Sequence, residues 1–152
     1  MKNQAKFEDR KTVGWREWVA LPDLGVPAIK AKIDTGARTA ALHAFDIRFF
    51  RKKSARKVSF SIHPLQLNNK NEIIVEALVL DFREIRSSSG HTSLRPVVET
   101  TLAIAKKEFP IEITLVNRDM MGFRLLLGRE ALRRQFFVDP QASFLWGLPV
   151  SL

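Results

Sequence analysis

The sequence predicts an all-β domain with one short helix, and three observations carry that prediction. Apolar residues alternate with polar ones at period two in segment after segment, turn-forming residues recur roughly every ten positions, and no crossover helices separate the runs. A small barrel or sandwich is therefore expected rather than a βαβ fold.

Residues 1–12 carry charge without periodicity and read as a flexible basic tail, which leaves 13–152 as a single domain. Trp15 to Leu21 is rich in aromatic and β-branched residues and ends at Pro22; Asp23, Gly25 and Pro27 then turn the chain. Ile29, Ala31 and Ile33 alternate with Lys30 and Lys32, so the first two runs form a hairpin with its lysines facing water. Phe45, Ile47, Phe49 and Val58, Phe60, Ile62 mark two further strands joined by a strongly basic link. Glu72 to Phe82 and Pro96 to Ile104 read as longer strands, with the polar segment Ser87 to Ser93 as the tip of a long hairpin between them. Ile111, Ile113 and Leu115 alternate again, and Leu125-Leu126-Leu127 is too brief for a buried helix and reads as a central strand. Only Arg129 to Gln135 collects good helix formers, and Phe136-Phe137-Val138 with Asp139-Pro140 is expected to end that helix in a turn.

The 152 residues include 25 Lys+Arg against 16 Asp+Glu, a net charge of +9 that favours acidic partners. With 45% hydrophobic residues the chain has the composition of a globular protein. The absence of cysteine excludes disulfides, thiolate catalysis, iron–sulfur clusters and Cys-type zinc sites. The N-terminus has no apolar signal region and no stretch is long enough to span a bilayer, so a cytoplasmic protein with no membrane partner is expected.

The sharpest candidate for chemistry is Asp34-Thr35-Gly36, an acidic residue at the end of an apolar strand, then a hydroxyl, then a glycine. The glycine lets the backbone approach a neighbouring segment, the threonine can anchor a tight loop, and together they would hold one carboxylate rigidly. Alone, such a tripeptide reads as an ordinary turn. Far downstream, Leu126-Leu127-Gly128-Arg129-Glu130-Ala131-Leu132 places Gly-Arg at the entry to the short helix.

This pairing, with a long hairpin between, resembles the retropepsin-like aspartic peptidases. In more detail, Trp15 to Leu21, Ala31 to Thr39, Leu42-His43-Ala44, Arg86 to His91, Met121-Gly122-Phe123, Leu126 to Arg129 and Val138-Asp139-Pro140 resemble a bacterial family. It bears the name ATP-dependent zinc protease and is associated with glutamate ligases acting on a ribosomal protein. The likeness runs over roughly residues 13 to 148. It implies a closed acid-protease barrel with a flap hairpin and a short C-terminal helix, Asp34 as catalytic carboxylate, Thr35 and Gly36 completing its loop, and Gly128 and Arg129 as structural residues beside it.

Aspartic-peptidase chemistry needs two carboxylates sharing one proton. The chain has one Asp-Thr-Gly, so a homodimer that faces Asp34 with its symmetry mate is the expected source of the second. Asp139 and Asp81 are the internal alternatives, but neither has a Thr-Gly context. Arg38 departs from the retropepsin pattern, where an aspartate near this point pairs with the Gly-Arg arginine. Arg38 and Arg129 would repel unless a carboxylate such as Glu130 or an acidic ligand intervenes. An acidic peptide substrate, such as a glutamate-tailed ribosomal protein, fits this charge, with Arg38 and the flap residues Ser88, Ser89, Gly90 and His91 as substrate contacts.

No cofactor is expected. His43, His63 and His91 lack metal-ligand spacing, so the zinc of the family's name has no support in the sequence, and no phosphate-binding loop supports ATP. The run Arg48, Arg51, Lys52, Lys53, Arg56 and Lys57, free of acids, is either a solvated loop or an electrostatic site for ribosome, RNA or a glutamate-rich tail. Two rivals to the aspartic peptidase therefore stand: a zinc-dependent peptidase, and a non-catalytic basic binding or adaptor module.

Overall fold

The computed structural model describes residues 9–64, 72–87, 89–118 and 122–149. Strand β1 (Lys11–Leu21) runs into a single 3-10 turn at Pro22–Leu24 and returns as β2 (Val26–Ile33). The two pair antiparallel, Trp18 opposite Lys30 and Glu17 opposite Ala31, which is the expected hairpin. Residues 1–8 of the expected tail lie outside the described residues. Lys11 and Thr12 belong to β1, where they pair with Phe136 and Phe137.

The remaining strands are β3 (Ala40–His43), β4 (Phe45–Lys52), β5 (Ala55–Ile62), β6 (Ile73–Leu78), β7 (Asp81–Arg86), β8 (Thr92–Ile104), β9 (Lys107–Val116), β10 (Leu125–Leu127) and β11 (Phe136–Ser143), with α1 (Arg129–Leu132) between the last two. The protein is mostly β. Eight strands form one sheet in the order β11-β1-β2-β10-β3-β9-β8-β7, and β4-β5-β6 form a second, smaller sheet. β1 also meets β8 at one residue pair, Ala20 with Ala103, so the large sheet bends back toward its own far side.

β10 sits between β2 and β3, pairing parallel with the first and antiparallel with the second. Leu125 and Leu127 are fully buried there, as the apolar run implied. They join Leu21, Ile29, Leu42, Leu102, Ile113 and Leu115 in one core, to which β5 of the small sheet adds Val58, Phe60 and Ile62. Burial of such side chains stabilises by about 1.5–3 kcal/mol each and is the dominant favourable contribution in a chain without disulfides.

Three expectations are corrected. Glu72 to Phe82 is two strands, because Val79 N–H donates to Arg56 O at 3.0 Å in the small sheet while Leu80 N–H donates to Val97 O at 2.9 Å in the large one. The chain changes sheets between those two residues. The helix stops at Leu132 instead of Gln135, since Arg133 is extended and Arg134 has φ of 67°. Phe136 to Pro140 is strand, with Asp139 opposite Gly14 instead of in a turn; β11 lies at the sheet edge, where Pro140 removes no ladder donor that a neighbour needs. No helix among the described residues is long and apolar enough to cross a membrane.

Candidate active site

The site is built where β2 ends. Ile33 pairs with Leu127, and the next amide, Asp34 N–H, donates to Leu127 O at 2.9 Å, so β10 fixes the backbone that carries the carboxylate. The loop then closes on itself: Gly36 N–H donates to Asp34 Oδ1 at 2.9 Å, and Ala37 N–H to Asp34 O at 3.2 Å. One carboxylate oxygen is thereby oriented by a backbone donor. Asp34 is half-buried, while Thr35 and Gly36 are exposed.

The second half of the motif latches this loop. A helix N-terminus leaves backbone N–H groups without intrahelical partners; in α1 the loop supplies them, with Arg129 N–H on Ala37 O at 2.8 Å and Glu130 N–H on Arg38 O at 3.0 Å. Arg129 Nη1 adds a bond to Thr35 O at 3.1 Å. This approach leaves no room at Gly128. A Cβ there would lie 2.6 Å from Thr39 O and 2.8 Å from Ala37 O, distances that side chains do not tolerate. Arg38 Nε meets Glu130 Oε1 at 2.9 Å. Glu130 thus gives Arg38 a carboxylate partner, while the Arg129 side chain is engaged by Thr35 O, although an ion pair as exposed as Arg38–Glu130 contributes under about 1 kcal/mol.

Asp34, Thr35, Gly36, Arg38, Gly128 and Arg129 are therefore brought together. The residues expected to form a flap sit at the β7/β8 tip, where Ser87 N–H donates to His91 O at 2.8 Å and Gly90 N–H to Ser87 O at 3.0 Å. Gly90 has φ of 86°, and Ser89, Gly90 and His91 are exposed. Ser88 and Met121 lie outside the described residues. Among the internal alternatives, Asp139 is exposed on β11 with Oδ1 accepting from Gln141 N–H, and Asp81 is exposed on β7 opposite Val97.

The histidines do not form a metal site. The rings of His43 and His63 lie near that of Phe45, with centroids 6.5 and 4.3 Å from it, and His91 is at the β7/β8 tip. No group of three or more His, Asp or Glu among the described residues is placed to hold a metal ion. The described residues therefore do not fit a zinc centre.

Sequence reasoning missed two charged groups. Glu17 is fully buried, and its carboxylate accepts from Gly14 N–H at 2.7 Å and from Leu145 N–H at 3.1 Å, tying β1 to the segment after β11. Arg95, on β8 and opposite Arg83, is held below the usual guanidinium range, first by burial and then by Arg118. Neither belongs to a recognisable motif, although the buried Glu17 could have been suspected from its place between Trp15, Trp18 and Val19.

Residues 12–147 match the RimB-like family, described as retropepsin-like aspartic endopeptidase RimB. The chain belongs to this family. Among curated relatives of this RimB-like chain, a protein of Parasynechococcus marenigrum named probable alpha-L-glutamate ligase is 48% identical over 135 residues, which are 89% of this chain and 29% of the relative. Like-named proteins of Desulfotalea psychrophila and Shewanella pealeana are each 44% identical, over 86% and 92% of this chain and 28% and 31% of theirs. The RimB-like chain thus spans less than a third of the length of the curated relatives it matches. A crystal structure from Legionella pneumophila, of protein Lpg0085 with unknown function, is similar with a TM-score of 0.72 and 28% identity, covering 89% of this chain and 97% of that one.

Proposed function

We propose that this RimB-like chain is an aspartic peptidase that hydrolyses peptide bonds with Asp34 paired to Asp34 of a second copy. The observation that carries this reading is the latched loop: one carboxylate, oriented by Gly36 N–H, on a backbone held by Leu127, Ala37 and Arg129, with Thr35 exposed beside it. A loop this constrained at an accessible surface suits a pair of like carboxylates, which share one proton because both cannot ionise at contact distance. The ionised Asp34 takes a proton from water as the oxygen attacks the scissile carbonyl, and the protonated one gives its proton to the carbonyl oxygen. Collapse of the resulting diol returns a proton to the leaving amine, leaving a carboxylic acid and an amine. In this arrangement the sheet closes as an acid-protease barrel, and the β7/β8 hairpin covers the substrate.

An acidic, glutamate-rich peptide is the proposed substrate, supported by the net charge of +9, by Arg38 at the loop, and by relatives named as glutamate ligases. That naming also favours a second reading, in which the domain serves as a non-catalytic adaptor beside such a ligase. Cleavage of a glutamate-tailed peptide separates the two. Asp34→Asn keeps an oxygen for Gly36 N–H and so preserves the fold, but cannot cycle the proton; turnover should fall by at least about a hundredfold, and a chelator should change nothing. Undiminished cleavage by that variant overturns the peptidase reading.

A further inference from the structure

The small sheet is not used by the peptidase reading, and its outer end carries an unusual arrangement of charge. β4 and β5 pair antiparallel with Phe49 opposite Val58 and Arg51 opposite Arg56. Residues two apart share a face of a strand, so these four side chains lie together. Val58 is fully buried, which identifies this as the face turned to the core. The face therefore runs from apolar to cationic toward the hairpin end.

Like charges directly opposite weaken an antiparallel pair, and no acid occurs between residues 48 and 57 to offset Arg51 and Arg56. The ion pairs seen among the described residues, Arg38 with Glu130 and Arg83 with Glu112, involve no cation of the hairpin. Arg51 Nη1 donates to the turn, at Ser54 O, 3.3 Å away. The Arg56 guanidinium lies 5.7 Å above the Phe82 ring of β7, and that ring is 5.6 Å from Phe49. With Val79 these groups line a cleft of about 270 Å³, and Phe49 is 54% exposed at its edge.

We propose that this cleft, with the neighbouring Lys52 and Lys53, binds single-stranded nucleic acid, phosphates lying on Arg51 and Arg56 and a base stacking on Phe49. Charge complementarity alone would equally suit a glutamate-rich peptide. The rings decide between them: a carboxylate chain has no flat face to place on Phe49, whereas every nucleotide brings a phosphate and a π-face together.

Fluorescence anisotropy of the full chain with labelled oligo-rU, oligo-dT and an oligoglutamate peptide, each of about twelve units to span one site, tests this. For three to four phosphate contacts, oligonucleotide affinity should fall about 20–50-fold between 50 and 200 mM salt, and Arg51→Ala with Arg56→Ala should reduce the logarithmic salt slope by about 1.4. Phe49→Ala should weaken binding about tenfold and leave the slope unchanged, because it removes stacking and no charge. Both arginines and Phe49 are exposed, so circular dichroism should show these variants folded. Stronger binding of oligo-rU than oligo-dT identifies RNA as the ligand, and equal binding identifies any single strand. Equal binding by wild type and the double-arginine variant, or a preference for oligoglutamate over both oligonucleotides, overturns the proposal. Neither result bears on Asp34, whose variant is read by cleavage.

Discussion

At the scale of single residues, the site depends most on an atom that is missing. Gly128 lets the β10/α1 junction lie against Ala37 to Thr39, and a methyl group there meets backbone at 2.6 to 2.8 Å on several sides. Backbone cannot rotate aside, so Gly128→Ala should cost about 2–3 kcal/mol, at the upper end of overpacking. Thermal denaturation should show a melting temperature lower by about 5–10 °C, and peptide cleavage should fall further than stability alone explains, because the displaced segment is the one that positions Asp34. Gly36→Ala is the contrasting case. Its added Cβ meets only Asp34 Oδ1, at 3.2 Å; the carboxylate can turn, so cleavage should fall with little change in melting temperature. Equal melting temperatures for wild type and Gly128→Ala would show that the latch is looser than its geometry implies.

At the scale of elements, what could be read from the sequence depended on whether a segment's partners are encoded locally. Ile29, Ala31 and Ile33 alternate with lysines because one face of β2 is buried, and that pattern is visible in any window. Asp34 to Gly36, Gly128 and the Arg38–Glu130 pair were legible because each is a short motif with its own chemistry. β3 was not: Ala40-Ala41-Leu42-His43 has little strand propensity and is a strand because β9 and β10 pair with it on both sides. The change of sheet at Val79 and Leu80 was hidden because both residues are apolar, so the hydrophobic run continues through it. Arg95 was hidden for a similar reason, as its neighbours are distant in sequence. Burial and the Arg118 charge both disfavour its cationic form, so the fold carries a penalty that is present in full at neutral pH and is lifted only as pH rises toward the ordinary guanidinium value. Arg95→Gln should therefore raise the melting temperature at pH 7, and Arg118→Gln by less, with added salt shrinking the part of each effect that comes from Arg95–Arg118 repulsion. A lower melting temperature for Arg95→Gln would mean that its bond to Ser93 Oγ outweighs the burial.

At the scale of the whole molecule, the proposed chemistry and the charge oppose each other. One chain offers one Asp-Thr-Gly, with Thr35 and Gly36 exposed, so the peptidase reading requires two copies to meet at this loop. Each copy carries +9, and two copies bring +18 together. Self-repulsion of that size weakens association at low ionic strength and is screened over about 8–10 Å near physiological salt. The dimer should therefore tighten as salt is added, the opposite of the dependence expected for nucleic acid on the hairpin and for an acidic peptide at the paired Asp34 loops. Sedimentation equilibrium at about 50 and 300 mM salt should show the dimer fraction rising, and cleavage at low enzyme concentration should rise with the square of concentration before becoming linear. An acidic peptide should replace salt in this role, because its carboxylates neutralise the facing cations, so dimer formation at low salt should follow peptide concentration. A strict monomer at both salts that stays monomeric with the peptide present removes the shared carboxylate pair and with it the proposed mechanism.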